Sequence, residues 1–109
     1  MKTKQLIEVL NSSDKTKSAR LLVSYIDLCF SRGSYDSVAE IISNMNGLFV
    51  KVPKQIFVPV LNASLHGAKH SNKLKLSIQE SIRLITEKGQ SNWKVSVETI
   101  NEITKKVKV

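Results

Sequence analysis

The chain has 109 residues, of which 41% are hydrophobic and 24% charged, and its formal net charge at pH 7 is +8. This length suits one domain with its own apolar core, and the composition excludes the low hydrophobicity and high charge of a disordered chain. No apolar run approaches the roughly 20 residues that a membrane-spanning helix needs, and Glu8 interrupts the short apolar stretch near the N-terminus, which argues against a signal peptide. We therefore predict one intracellular domain, cytoplasmic or associated with the nucleus or nucleoid, without membrane insertion.

The positive charge is concentrated in the second half of the chain. Residues 51–94 contain eight basic and two acidic residues, whereas residues 21–50 contain one basic and three acidic residues. Such asymmetry indicates an anionic partner, which could be a nucleic acid, an acidic protein surface or a membrane face. The alternative is that the lysines only keep the surface soluble.

The first two helices are predicted at Thr3–Asn11 and Lys15–Arg32. Side chains of Ser12, Ser13 or Asp14 can cap the second helix, and Gly33 tolerates the left-handed conformation that often ends a helix. Apolar side chains recur at helical spacing, at Leu6, Ile7, Val9 and Leu10 in the first helix and at Leu21, Leu22, Tyr25, Ile26, Leu28 and Cys29 in the second. The single cysteine excludes an internal disulfide and a cysteine-based zinc site, and it is predicted to be a buried thiol.

The third helix is predicted at Tyr35–Asn46 and ends at Gly47. Its buried row consists of Val38, Ile41, Ile42 and Met45. Ser37 and Glu40 have the spacing of a capping box. If the helix begins at Tyr35, the same pair lies instead on the helix surface.

Two structures compete for the segment that follows. In the preferred one, Leu48–Val52 is a linker and a helix runs from Pro53 to His66, with Pro59 as a kinking residue in its interior. In the alternative, Leu48–Val52 pairs with Gln55–Val58 as a β-hairpin, which the β-branched and aromatic content favours. The helix is preferred because its apolar residues follow helical spacing, at Ile56, Phe57, Val60, Leu61 and Leu65.

Two further helices complete the predicted fold. One covers Asn72–Lys88 and ends at Gly89, with Leu74, Ile78, Ile82 and Ile85 as its buried row. The other is capped by Ser91 or Asn92 and extends to about Lys106, with Trp93, Val97, Ile100, Ile103 and Val107 on one side. The predicted fold class is all-α, with five or six helices packed as antiparallel pairs.

Two stretches forty residues apart share a pattern. "SRGSYDSVAEII" covers residues 31–42 and "SNKLKLSIQESI" covers residues 71–82. At this offset Val38 falls on Ile78 and Ile42 on Ile82, and a period near forty is typical of stacked two-helix units.

The stretch "FVPVLNASLHGAKHSNKLKLSIQESIRLI", residues 57–85, resembles a HEAT repeat. Pro59, Leu61 and Leu65 match its first helix, and the pair Leu74–Lys75 stands where the family usually has an aliphatic residue followed by a basic one. Ile78, Ile82 and Ile85 match the second helix. The resemblance implies a stack of helical hairpins that binds other macromolecules, and a compact, non-repeating helical bundle is the alternative.

No group of residues specifies a reaction. His66 and His70 are four residues apart, but Gly67 lies between them and no carboxylate or thiol nearby completes a metal site. The acidic residues are scattered, and neither a phosphate-binding glycine loop nor a nucleophile elbow is present. We predict a non-enzymatic protein without a cofactor or a metal.

A basic surface is the remaining candidate site. If the turns before the fourth and fifth helices face the same way, their cations form one basic edge, and Trp93 could anchor a protein partner. The predicted binding residues are Lys51, Lys54, Lys69, His70, Lys73, Lys75, Arg83 and Trp93.

These features support three functional hypotheses. The first is a helical adaptor or regulatory protein that recognises an acidic protein surface. The second is a nucleic-acid-associated protein that contacts the phosphate backbone through residues 51–94, with an affinity that falls steeply with salt. The third is a small inhibitor or structural factor that acts by self-association. The sequence does not specify an oligomeric state.

Overall fold

The computed structural model describes residues 3–107, and every regular element within them is helical. The six α-helices are α1 Thr3–Leu10, α2 Lys15–Ser31, α3 Tyr35–Gly47, α4 Lys54–Ser64, α5 Asn72–Trp93 and α6 Val97–Lys106. Two short 3-10 helices, Phe49–Lys51 and Leu65–His70, precede and follow α4. The prediction of an all-α fold with five or six helices is confirmed. None of the helices in this range is long and apolar enough to span a membrane.

The ends of α2 follow from local chemistry. The Asp14 carboxylate accepts a hydrogen bond from the backbone N–H of Lys17 at 3.0 Å, which caps the first turn. At the other end Gly33 has a φ of +70°. The N–H groups of Gly33 and Ser34 donate to the carbonyls of Phe30 and Cys29 at 3.1 and 2.8 Å. This is a Schellman motif, and it confirms the predicted stop at Gly33.

The capping box predicted for α3 does not form. The helix begins at Tyr35, and its N-cap residue Ser34 makes no side-chain capping hydrogen bond. Ser37 and Glu40 therefore lie inside the helix, where Glu40 is exposed. The alternative interpretation, a pair on the helix surface, holds.

The segment that could have formed a hairpin is helical. Phe49–Lys51 is a 3-10 helix, Val52 and Pro53 are extended, and α4 begins at Lys54 with Pro59 in its interior. The hairpin alternative is therefore wrong. The apolar residues of this segment share one helical face, where Ile56, Phe57, Val60 and Leu61 are each at most 1% exposed. Burial of this face favours the helix over the hairpin. The predicted continuation to His66 becomes a 3-10 helix after Ser64.

The boundary between the last two helices differs from the prediction. α5 continues through Gly89 to Trp93, so Trp93 ends α5 and does not begin the last helix. Gly89 is buried beneath α6, where a Cβ atom would lie 3.6 Å from Cγ1 of Ile100. The break comes at Lys94, which has a left-handed φ of 53°, and Ser96 caps α6 in place of Ser91 or Asn92.

The helix pair α2–α3 packs on the helix pair α4–α5. α2 makes its most extensive contacts with α4, and α3 makes its most extensive contacts with α5. α1 packs on α2 and α3, and α6 packs on α5. The smallest extent of the molecule is 19 Å, which is about two helix diameters. Cys29 is buried as predicted, but Leu21 and Leu28 are 48% and 45% exposed, so the apolar stripe predicted for α2 is too wide.

A polar bridge fixes α3 against α5. Asn46 donates from Nδ2 to the carbonyl of Ser77 at 3.0 Å and accepts at Oδ1 from the hydroxyl of Ser81 at 2.6 Å. Ser81 is fully buried, and its hydroxyl also lies 3.0 Å from the Ser77 carbonyl. Because buried polar groups cost free energy when unpaired, this bridge favours one alignment of the two helices along their apolar contact.

Replacement of Lys94 by glycine is expected to stabilise the protein by about 0.5–1 kcal/mol. A left-handed backbone costs a residue with a Cβ atom roughly 1–2 kcal/mol, and glycine removes this cost but adds entropy to the unfolded chain. Urea denaturation measures the change. Lys88→Gly, in the interior of α5, is the control and should destabilise by about 1 kcal/mol. Equal destabilisation by both variants would contradict the left-handed assignment.

Candidate binding surfaces at the two ends of the helix stack

The predicted basic edge is divided between two ends of the molecule. α5 has 22 residues and is therefore about 33 Å long. Lys69, His70 and Lys73 lie at its beginning, whereas the indole N–H of Trp93, at its end, donates to the carbonyl of Val52 at 2.9 Å. That bond places Lys51, the neighbour of Val52, at the far end. The turns before α4 and α5 therefore do not face the same way, and the condition for one basic edge is not met.

One end, the Tyr35 end, consists of Arg32, Tyr35, Asp36, Lys69, His70 and Lys73. A row of aromatic rings orders it. The rings of Phe30 and Tyr35 have centroids 5.5 Å apart, and the Tyr35 ring stacks on His70 with centroids 4.8 Å apart. The Phe30 ring packs closely against the 3-10 helix at Gly67, where a Cβ atom would lie 2.5 Å from the ring. The α2–α3 turn and the 3-10 helix before α5 are thus held side by side.

A hydrogen bond joins the same two turns. The Ser71 hydroxyl donates to the Asp36 carboxylate at 2.9 Å, while its oxygen accepts from the backbone N–H of Leu74 and caps α5. An open groove of about 410 Å³ lies beside this bond. Its lining residues are Gly33, Ser34, Tyr35, Asp36, Ser37 and His70.

The cations of the Tyr35 end are free to meet a partner. Arg32, Lys69 and Lys73 are exposed, and within residues 3–107 none of them forms an ion pair. Lys75 is also exposed, but two positions along a helix correspond to a rotation of about 200°. Lys73 and Lys75 therefore lie on opposite flanks of the buried Leu74, and Lys75 is at the margin of the cluster.

Arg83, unlike these cations, forms ion pairs within its own helix. Its guanidinium forms ion pairs with the carboxylates of Glu80 and Glu87, one helical turn before and after it. The hydrogen bond from Arg83 lowers the pKa of the Glu80 carboxyl, and the bond to Glu80 raises the pKa of Arg83. The charge of this predicted binding residue is already balanced within α5, and we exclude it from the Tyr35 end.

The other end, the Trp93 end, consists of Lys15, Val50, Lys51, Val52, Pro53, Asn92 and Trp93, which line an open groove of about 300 Å³. Trp93 is half-buried there, with its ring 4.9 Å from that of Phe49 and 5.6 Å from that of Phe57, centroid to centroid. It packs as a lid on the core and presents only part of its surface. Lys51 is exposed and Lys54 is partly buried next to this groove.

The two histidines lie in the 3-10 helix Leu65–His70, and both are exposed. His70 is engaged by Tyr35, whereas His66 is not part of the aromatic row. Across residues 3–107, no three His, Cys, Asp or Glu side chains are grouped so that they could hold a metal ion.

Several residues of these surfaces were not predicted from the sequence. Tyr35 and Asp36 follow a glycine turn, which is a weak signal, and their role depends on contacts with residues 35 positions later. Lys15 and Val50 belong to segments that are far apart in sequence and meet only at the Trp93 end.

A comparison with protein-family models, with curated proteins and with solved structures finds no match for this chain.

Proposed function

We propose that the protein is a non-enzymatic helical binding protein whose Tyr35 end recognises an acidic surface on a partner protein. The observation that carries this proposal is the set of exposed cations Arg32, Lys69 and Lys73 on two turns held together by the Tyr35–His70 stack and the Ser71–Asp36 bond. A surface that is ordered before binding loses less conformational entropy on association. Opposite charges across an interface increase the association rate and exclude wrong partners.

The small number of free aromatic ring faces favours an acidic protein over a single-stranded nucleic acid as the partner. At the Tyr35 end, Tyr35 and His70 stack on each other. The rings of Phe49, Phe57 and Trp93 pack together at the opposite end. Few ring faces are therefore left for the base stacking that single-stranded nucleic acids require.

The packing of the helices supports a repeat-like stack as the scaffold. The pairs α2–α3 and α4–α5 lie on each other so that α2 meets α4 and α3 meets α5. In stacked hairpins of the HEAT type, corresponding helices of successive units meet in this way. Such a stack brings successive turns to one end of the molecule, where they form one surface.

A matched pair of charge reversals tests the proposal. Lys69→Glu/Lys73→Glu alters the Tyr35 end, and Lys51→Glu/Lys54→Glu makes the same change in net charge at the other end. In pull-downs from nuclease-treated native extract, the wild type and the second variant should retain a common protein. The first variant should lose it by about tenfold or more, because opposite charges then become like charges.

The same variants distinguish the proposed function from the nucleic-acid hypothesis. Binding to short duplex and single-stranded oligonucleotides is measured by fluorescence anisotropy between low and moderate salt. Micromolar binding that falls steeply with salt and disappears in Lys69→Glu/Lys73→Glu would contradict the proposal and favour phosphate contacts. A pull-down in which nuclease removes every specific protein would contradict it as well.

A further inference from the structure

The groove at the Trp93 end is separate from the surface proposed above. α5 spans about 33 Å and carries the two surfaces at its opposite ends. Three parts of the chain contribute to the groove: the start of α2 with Lys15, the segment before α4 with Val50, Lys51 and Pro53, and the end of α5 with Trp93. A peptide of a few residues bound here would not reach Tyr35 or His70.

The charges at this groove are positive and without a carboxylate partner in residues 3–107. Lys15 donates from Nζ to the carbonyls of Leu10 and Ser12, each at 3.0 Å, so its ammonium group is held in place. Lys51 is exposed and makes no ion pair in the same range. No Asp or Glu is among the lining residues. The groove therefore complements a carboxylate.

The same groove presents apolar surface. Val50 is 74% exposed, more than any other exposed large hydrophobic residue between residues 3 and 107. Trp93 is fixed by the hydrogen bond from its indole N–H to Val52 and by its contacts with Phe49 and Phe57. A rigid aromatic ring beside an exposed aliphatic group favours contact with an apolar side chain.

We propose that the Trp93 end binds a linear peptide segment of a partner protein, in which Asp or Glu stands beside a large aliphatic or aromatic residue. The carboxylate pairs with Lys51 and Lys15, and the apolar side chain packs on Val50 and Trp93. A volume of about 300 Å³ accommodates a short stretch of side chains. A phosphodiester would leave the apolar part unused, and the exposed Val50 alone anchors a protein weakly to a lipid surface.

A displayed library of random octapeptides, selected on the immobilised full-length protein, tests this inference. The wild type should enrich peptides in which an acidic residue neighbours Leu, Ile, Val or Phe. Lys51→Glu should lose this enrichment, and Lys73→Glu, the same change at the Tyr35 end, should keep it. Trp93 is the only tryptophan of the chain, so its fluorescence reports occupancy of the groove directly.

Fluorescence titration of one enriched peptide completes the test. We expect a saturable change in Trp93 emission. The affinity for the peptide should fall about tenfold in Lys51→Glu. It should fall similarly when Asn replaces the acidic residue of the peptide or Ser replaces its apolar residue. Selection of no common motif, or equal binding by Lys51→Glu, would overturn the inference. A larger change with phosphatidylserine vesicles or an oligonucleotide than with the peptide would also overturn it. Loss at Lys69→Glu/Lys73→Glu in the pull-down bears only on the Tyr35 end, so the two proposals can fail independently.

Discussion

Replacement of Phe57 by alanine is expected to lower the free energy of unfolding by about 3–5 kcal/mol. The Phe57 side chain is 1% exposed, and its ring lies against those of Phe49 and Trp93, with centroids 5.3 and 5.6 Å away. Truncation removes apolar contacts and leaves a cavity where the start of α4 meets the end of α5. Urea denaturation followed by far-ultraviolet circular dichroism measures the loss.

The control for this prediction is Phe57→Leu. Leucine keeps most of the buried apolar volume, and its cost should stay below about 2 kcal/mol. Trp93 fluorescence should shift to longer wavelength in the alanine variant, because the indole loses one of its two aromatic neighbours. A cost below about 1 kcal/mol for Phe57→Ala would show that the ring does not fill the core as described.

Replacement of Gly67 by alanine is expected to destabilise the protein by about 1–3 kcal/mol. The new Cβ atom would lie 2.5 and 2.7 Å from two atoms of the Phe30 ring and 3.1 Å from Cδ2 of Leu74. Phe30 must then shift, and it packs on Tyr35, which stacks on His70. Under the proposed function, the variant should therefore also weaken partner binding at the Tyr35 end, which the pull-down measures.

Gly89→Ala provides a matched control for this substitution. A Cβ atom at Gly89 would lie 3.5–3.7 Å from Trp93 and Ile100, which is ordinary van der Waals contact. Because alanine favours a helix interior over glycine, this variant should gain about 0.5–1 kcal/mol. If both glycine variants change stability equally in urea denaturation, the close approach of Gly67 to Phe30 is contradicted.

The sequence predicted the helices well because their apolar spacing is a local property. Ile56, Phe57 and Val60 share one helical face whatever the rest of the chain does, so the helix over the uncertain segment was recoverable. The glycines were less informative. Gly33 ends α2 through a positive φ, whereas Gly89 lies inside α5, where its surroundings leave room for a Cβ atom. The two glycines differ in backbone conformation, which their identity alone does not specify.

The candidate surfaces were predicted in composition but not in arrangement. The exposure of Lys51, Lys69 and Lys73 follows from their polar positions between apolar stripes. Their division between two ends depends on the length and direction of α5. The sequence predicts that this helix ends at Lys88, whereas it continues to Trp93. The ion pairs of Arg83 with Glu80 and Glu87, in contrast, have the three- and four-residue spacings that the sequence itself contains.

The length of α5 has a consequence for any ligand that uses both grooves. An extended chain covers about 3.3–3.6 Å per residue, so roughly ten residues must connect two motifs that are bound at opposite ends of α5. A shorter tether would forbid simultaneous engagement, whereas one of matching length would raise the effective concentration of the second motif and produce bivalent avidity. Two weak motifs at the correct separation could thus bind more tightly than either motif alone.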